Sequence, residues 1–131
     1  MKKVNILRGT GKKILIVEDD KDFISILETK FSSEGFSVAT AEDGEQGVSE
    51  AEKQKPDLIL SDVLMSKMDG IEMAKRIKEA GNKVPIVFLT NINDVDYTKG
   101  IEKFGEFDYL IKSELRIEEI VKIVKTKLGI K

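Results

Sequence analysis

The 131-residue sequence contains no cysteine and no histidine. The absence of cysteine excludes disulfide bonds, a thiolate nucleophile and any thiolate metal ligand. The absence of histidine excludes imidazole base catalysis, histidine metal ligation and phosphohistidine. Any chemistry that this chain performs therefore depends on carboxylates, hydroxyls and amines.

Long apolar runs are also missing. No segment reaches the length needed to cross a bilayer, and the first residues lack the apolar core of a signal peptide. We therefore expect a cytoplasmic protein without a membrane partner. Hydrophobic residues make up 40% of the chain and charged residues 35%, which is typical of a globular protein of one domain with one core.

The charge is distributed unevenly. The formal net charge is −2, yet the first 13 residues contain five basic residues and no acid: Lys2, Lys3, Arg8, Lys12 and Lys13. Such an arm can bind nucleic acid or an anionic surface, although a solvated tail is the more common interpretation. We interpret residues 1–11 as a basic N-terminal extension and residues 12–131 as the folded domain.

Segments with the pattern of buried strands alternate with segments that have helical spacing. The predicted strands are 13–17, 36–40, 58–61, 84–89 and 107–111. The predicted helices are about 20–34, 44–55, 70–80, 94–104 and a last helix that Ser113 caps and that includes Leu128. This alternation predicts a doubly wound α/β fold, in which five helices cover both faces of a five-stranded parallel sheet.

Polar side chains stand at the ends of four of these strands. Glu18 and Asp19 follow the first strand, Asp62 follows the third, Thr90 ends the fourth and Lys112 follows the fifth. Ligands of such sheets gather at the carboxyl ends of the strands, so we expect these side chains to converge. Asp62 is the candidate reactive group, and the alternative for it alone is an aspartate that merely begins a turn.

The residue types at this edge indicate phosphoryl chemistry. Carboxylates without histidine or cysteine are the hard oxygen ligands that Mg²⁺ prefers, and the cation offsets their mutual repulsion. Lys112 and Thr90 can then stabilise the oxygens of a phosphoryl group as it is transferred to Asp62. A carboxylate nucleophile that forms an acyl phosphate is an established covalent route.

Four motifs occur in a characteristic order and spacing: ILIVED, PDLILSDVLMSKMDG, PIVFLTN and FDYLIKS. In these motifs the sequence resembles the receiver domains of two-component response regulators, over about residues 12–128. The resemblance implies a flavodoxin-like sheet with strand order 2-1-3-4-5. Since 131 residues leave no room for a second domain of ordinary size, we expect a receiver domain of the stand-alone type over residues 12–131, without a DNA-binding domain.

The resemblance assigns a role to each metal-site residue. Asp62 matches the phosphoacceptor of the family. Glu18 and Asp19 match its acidic pair, in which Asp19 is the direct Mg²⁺ ligand. The backbone carbonyl of Leu64, two residues after Asp62, is implied as a further ligand.

The resemblance also implies a switch. Thr90 matches the switch hydroxyl, Lys112 matches the lysine of the family, and Tyr109 matches the aromatic residue that changes rotamer on activation. A sensor histidine kinase or a phosphotransfer protein is the implied donor. The implied output is a changed face of the fourth helix, fifth strand and fifth helix, which binds an unknown target protein. The only implied catalysis is transfer to its own aspartate and slow autodephosphorylation.

Three residues depart from the family pattern. Ser66 and Ser113 stand where proline is usual, and Asn91 stands where the residue is usually very small. Without proline after it, Lys112 is expected to be held less rigidly, in a loop that is trans or strained. Asn91 is expected to narrow access to the phosphoryl group. We therefore expect altered rates of phosphorylation and hydrolysis.

Three other functions are alternatives to phosphoryl signalling. The three departures are compatible with a receiver-like scaffold that binds partners without phosphorylation. A phosphatase with an aspartate nucleophile would carry a second aspartate where Leu64 stands, which disfavours an enzyme of that class. A flavin-binding relative is disfavoured because an acidic edge repels a phosphate when no metal is bound.

Overall fold

A computed structural model describes residues 9–91, 99, 105 and 107–130 of the chain. The strands within these residues are β1 (Lys13–Val17), β2 (Ser37–Ala41), β3 (Leu58–Asp62), β4 (Ile86–Thr90) and β5 (Asp108–Ile111). The α-helices within them are α1 (Lys21–Ser33), α2 (Gly44–Gln54), α3 (Gly70–Glu79) and α4 (Ile117–Lys127). A 3₁₀ helix, Lys112–Glu114, connects β5 to the chain that leads into α4.

The five strands form one parallel sheet in the order β2-β1-β3-β4-β5. The predicted fold class and strand order are therefore confirmed. The predicted helix at 94–104 lies outside the described residues. None of the helices in the described part of the chain is long and apolar enough to cross a membrane.

Both faces of the sheet are covered, which explains the continuous apolar runs in the sequence. Every residue of β3 and of β4 is buried, as expected for central strands of a parallel sheet. Alternate side chains point to opposite faces. One apolar layer packs beneath α2 and α3, and the other packs beneath α1 and α4. The edge strands β2 and β5 are less deeply buried.

Aspartates cap the N-termini of the first three helices. The side chains of Asp20, Asp43 and Asp69 accept hydrogen bonds from backbone amides in the first turns of α1, α2 and α3. These caps satisfy amides that have no partner within the helix. Because each helix follows the carboxyl end of a strand, the caps also place the helix N-termini at the edge where the polar residues were predicted to converge.

The predicted cap of the last helix was wrong. Ser113 lies inside the 3₁₀ helix, and α4 begins four residues later, at Ile117. The helix is instead preceded by Arg116, whose backbone amide donates to Glu119 Oε1 at 2.9 Å. The single turn of 3₁₀ helix after β5 shifts the start of α4 toward the C-terminus. Ser113 therefore does not directly precede α4 and cannot act as its N-cap.

The start of α3 packs closely against the end of β3. The backbone amide of Gly70 donates to the carbonyl of Val63 at 2.7 Å. A Cβ atom on Gly70 would collide with the carbonyl oxygen of Asp62 and would lie 3.2 Å from Ser61 Oγ. Only glycine therefore allows α3 to approach the strand that carries Asp62.

We expect Gly70→Ala to lower the free energy of unfolding by about 1–3 kcal/mol, because the added methyl group has no room beside the backbone of Asp62. Urea denaturation measures this change. The control is Glu79→Ala at the exposed end of the same helix, which should change the free energy of unfolding by less than about 0.5 kcal/mol. Equal stabilities for the two variants would show that α3 is not packed as described.

Candidate functional site

Three charged side chains from three different strand ends meet at one point. Lys112 Nζ lies 3.0 Å from Glu18 Oε1 and 3.2 Å from Asp62 Oδ2. Glu18 is 2% exposed and Asp62 is 7% exposed. Buried charges are stable only when they are paired. The ammonium therefore holds two buried carboxylates that lie far apart in sequence, as the sequence predicted.

Asp19 adds a third carboxylate at the same place. One carboxylate oxygen from each of Glu18, Asp19 and Asp62 lies within 4.8 Å of the others. Asp19 is exposed, so the cluster opens to solvent on its side. Three hard oxygen donors at this spacing fit a magnesium ion that also keeps water ligands. The donor set thus fits the metal that was predicted from the sequence.

Burial disturbs the ionisation of the two inner carboxyl groups. Burial raises the pKa of Glu18, and the nearby negative charge of Asp62 raises it further. Burial also raises the pKa of Asp62, although the positive charge of Lys112 opposes this effect. Burial alone would lower the pKa of Lys112, but its bonds to the two carboxylates outweigh burial and raise that pKa. One ammonium is not enough to stabilise both carboxylates fully.

The loop that follows β3 surrounds the Asp62 carboxylate. Asp62 Oδ1 accepts a hydrogen bond from the backbone amide of Val63 at 2.8 Å, which leaves Oδ2 as the atom that faces Lys112. Leu64 follows in the same loop, and its side chain is 38% exposed. The predicted use of its backbone carbonyl as a metal ligand stays a prediction.

Thr90 ends β4, beside the strand that carries Asp62. It is fully buried, and the register places its neighbour Leu89 opposite Asp62. Its hydroxyl donates to the backbone carbonyl of Asn91 at 3.1 Å. Thr90 is therefore at the predicted edge, with its hydroxyl proton directed to a backbone acceptor of the following residue.

Tyr109 lies in β5 and packs across the sheet on Phe88. The two ring centroids are 5.6 Å apart and the ring planes are 14° from parallel. Tyr109 is half-buried against the apolar layer that α2 and α3 cover. The rotamer change that the family resemblance implies for this residue stays a prediction.

The sequence did not indicate one further neighbour of the site. The ring centroid of Phe23 lies 5.0 Å from Lys112 Nζ, whereas the sequence analysis placed this residue only within the first predicted helix. A possible signal was its position, four residues after Asp19 and within the first turn of α1. The peptide bond between Lys112 and Ser113 is trans, since none of the described peptide bonds is cis. Of the two alternatives expected for this loop, the trans form is the one present.

A parallel sheet of order 2-1-3-4-5 is the flavodoxin-like fold, and in this chain an acidic cluster and a lysine lie at its carboxyl edge. The response regulator receiver domain family matches residues 14–125 of this sequence. The chain therefore belongs to the response regulator receiver domain family.

Individual relatives agree with this assignment. The alkaline phosphatase synthesis transcriptional regulatory protein PhoP of Bacillus subtilis is 39% identical over 103 residues, which is 78% of this chain and 42% of PhoP. A two-component response regulator from Clostridium difficile has a TM-score of 0.80 and 32% identity, and the match covers 90% of this chain and 96% of that one. The chain spans less than half the length of PhoP and of other curated relatives.

The structure of a third relative is described with a bound magnesium ion. The receiver domain of the sensor histidine kinase PA1611 from Pseudomonas aeruginosa has a TM-score of 0.79 and 32% identity to this chain. The match covers 92% of this chain and 99% of that one, whose structure is described as having a magnesium ion coordinated in the active site cleft.

The raised pKa of Asp62 predicts how stability depends on pH when no metal is present. Between the ordinary carboxyl pKa and this raised value, the folded protein binds more protons than the unfolded chain, so stability falls as pH rises. In EDTA at pH 7, Asp62→Asn should therefore unfold at a temperature a few degrees higher than the wild type. The difference should shrink as the pH is lowered toward the ordinary carboxyl pKa, where the unfolded chain also begins to bind the proton.

Thermal unfolding followed by circular dichroism measures this effect. The control is Glu28→Gln, which makes the same change of charge on the exposed surface of α1. This control should unfold close to the wild-type temperature at each pH. A lower unfolding temperature for Asp62→Asn at pH 7 would mean that the buried carboxylate stabilises the fold.

Proposed function

We propose that Asp62 accepts a phosphoryl group from a histidine of a sensor kinase or phosphotransfer protein, in a magnesium-dependent reaction. The observation that carries this proposal is the single cluster formed by Glu18, Asp19, Asp62 and Lys112. It combines a buried nucleophile, oxygen ligands for a cation and one fixed ammonium. The phosphorylated chain then signals by binding a target protein.

The fit of the donor set supports the choice of residues that would hold the cation. Glu18, Asp19 and Asp62 supply carboxylate oxygens, and Leu64 supplies its backbone carbonyl. Magnesium, when bound, supplies positive charge to the carboxylates and to the phosphoryl oxygens. The PA1611 receiver domain, described with magnesium in its active site cleft, supports this assignment.

The residues of the chain have separate tasks in the transfer. A carboxylate oxygen of Asp62 forms a bond to phosphorus while the phosphorus–nitrogen bond of the donor breaks, and the electron pair stays on the imidazole nitrogen. The ammonium of Lys112 stabilises the negative charge of the phosphoryl oxygens. The Val63 amide, 2.8 Å from Oδ1, keeps the carboxylate in one orientation.

The signal begins when the contacts of Thr90 change. Its hydroxyl exchanges the carbonyl of Asn91 for a phosphoryl oxygen, and the ring of Tyr109 adjusts beside Phe88. The affected surface includes β5 and α4. Phosphorylation shifts the population between two arrangements of this surface, and the target protein binds one of them better.

The two parts of the chain have separate roles in the proposed function. Residues 12–131 act as the receiver domain in the cytoplasm, and residues 1–11 form a basic extension. The only reactions of the chain are the transfer of a phosphoryl group from a donor to its own aspartate and the slow loss of that group. The name of the relative PhoP, a transcriptional regulatory protein, suggests that transcription is one process such a receiver controls.

Intact-mass spectrometry tests the proposal. After incubation with phosphoramidate and Mg²⁺, the wild type should gain one phosphoryl group, and Asp62→Asn should gain none. The matched control is Asp57→Asn, just before the opposite end of β3, where the Asp57 side chain accepts a hydrogen bond from the amide of Lys13 at 2.8 Å. This control should be phosphorylated like the wild type. An unmodified wild type, with small donors and with histidine kinases alike, would refute the proposed function.

Asn91 should limit access to the phosphorylation site. It lines a cavity of about 360 Å³ together with Asp20, Phe23 and Lys112. Asn91→Ala should therefore increase the rate of phosphorylation by phosphoramidate, by about two- to tenfold. Because the chain has no tryptophan, the rate is best followed by mass spectrometry of quenched samples.

The control for this variant is Asn82→Ala. Asn82 lies before the amino end of β4, where its side chain accepts a hydrogen bond from the amide of Val84 at 3.0 Å. This control should leave the rate of phosphorylation unchanged. A slower reaction for Asn91→Ala would indicate that the asparagine assists the transfer.

A further inference from the structure

An aromatic ring lies against the ammonium group of Lys112. The ring centroid of Phe23 is 5.0 Å from Lys112 Nζ. The face of an aromatic ring carries partial negative charge and attracts cations within about 6 Å, most strongly where water is excluded. The side chain of Lys112 is only 19% exposed, so the contact is partly shielded from solvent.

The backbone after Lys112 offers little to fix this side chain. Ser113 is exposed and follows through a trans peptide bond. The amide of Leu115 is 3.5 Å from the carbonyl of Lys112, which is long for a hydrogen bond. The position of the ammonium therefore depends on its side-chain contacts with Glu18, Asp62 and Phe23.

These three contacts respond differently to the proposed reaction. The Asp62 carboxylate becomes an acyl phosphate, so its ion pair with Lys112 is replaced during the transfer. The Glu18 carboxylate is also a proposed metal ligand, so it shares its charge with the cation. The ring of Phe23 takes no part in either change and keeps its attraction throughout.

We propose that Phe23 is a positioning residue, which holds the ammonium of Lys112 at Asp62 while the phosphoryl group is transferred. This inference rests on the proposed function of Asp62. The ring attracts the ammonium without supplying a conventional hydrogen-bond acceptor. The N–H donors of Lys112 therefore stay available for carboxylate oxygens before the transfer and for phosphoryl oxygens after it.

The first turn of α1 fixes the ring in this place. Asp20 Oδ1 accepts a hydrogen bond from the amide of Phe23 at 3.2 Å. The amide of Asp20 in turn donates to Glu18 Oε2 at 3.1 Å. Phe23 also packs against the apolar layer that α1 and α4 cover. One short segment, residues 18–23, thus supplies two acidic side chains of the site and the ring that faces its lysine.

Two variants of Phe23 test this role. Phe23→Leu keeps an apolar side chain but removes the ring, and should slow phosphorylation by phosphoramidate about three- to tenfold. Phe23→Tyr keeps the ring face and should react within about twofold of the wild type. The Mg²⁺ affinity, measured by calorimetric titration, should be the same for all three proteins, because the three carboxylates remain.

The matched control is Phe36→Leu. Phe36 belongs to the same apolar layer but packs against Phe31, with ring centroids 5.4 Å apart. This control should lose stability and still be phosphorylated at the wild-type rate, measured where every variant is folded by circular dichroism. A slow Phe36→Leu would attribute the effect to lost packing and overturn the inference.

Two other outcomes would also overturn the inference. The first is a Phe23→Leu variant that reacts at the wild-type rate, and the second is a Phe23→Tyr variant that is as slow as Phe23→Leu. Both outcomes would leave the proposed function intact, because the wild type would still be phosphorylated on Asp62. A wild type that gains no phosphoryl group would refute the proposed function and the role of Phe23 together.

Discussion

The site depends on one electrostatic constraint, which is the burial of two carboxylates against a single ammonium. Removing a carboxylate from water is unfavourable unless it is paired and hydrogen-bonded. Lys112 contacts both Glu18 and Asp62, yet burial keeps the pKa of each carboxyl group above its ordinary value. Additional positive charge is therefore favoured at this position, and the proposed binding of a divalent cation by the cluster relies on the same imbalance.

The fold explains why these charges can be buried at all. In a parallel sheet every strand ends at the same edge, and the helices that follow present their unpaired amides there. The side chains of Asp20, Asp43 and Asp69 accept hydrogen bonds from such amides in α1, α2 and α3. The capping aspartates satisfy the amides at the helix ends, whereas the carboxylates of Glu18 and Asp62 form ion pairs with Lys112. The aspartates that cap helices and the carboxylates that contact Lys112 are therefore different residues, although all of them lie near the same edge of the sheet.

Much of this arrangement could be predicted from the sequence, because it follows from periodicity and topology. The strand order was predicted from the family resemblance, whereas the convergence of Asp62 with Lys112 requires only that parallel strands share an edge. The cap at Ser113 was wrong because a single 3₁₀ turn displaces the start of α4. The contacts of Gly70 and Phe23 were missed because each depends on a distance between separate elements, which a one-dimensional pattern does not contain.

The hydrogen bond of Thr90 shows how little energy the proposed switch requires. Its hydroxyl donates to a backbone carbonyl of the adjacent residue, and exchanging one hydrogen bond for another changes the free energy by only about 1 kcal/mol. A phosphoryl oxygen carries more charge than a carbonyl oxygen, so the exchange favours the phosphorylated arrangement. Phe88 of β4 stacks on Tyr109 of β5, and this contact is the route by which the proposed shift at the end of β4 would reach the neighbouring edge strand.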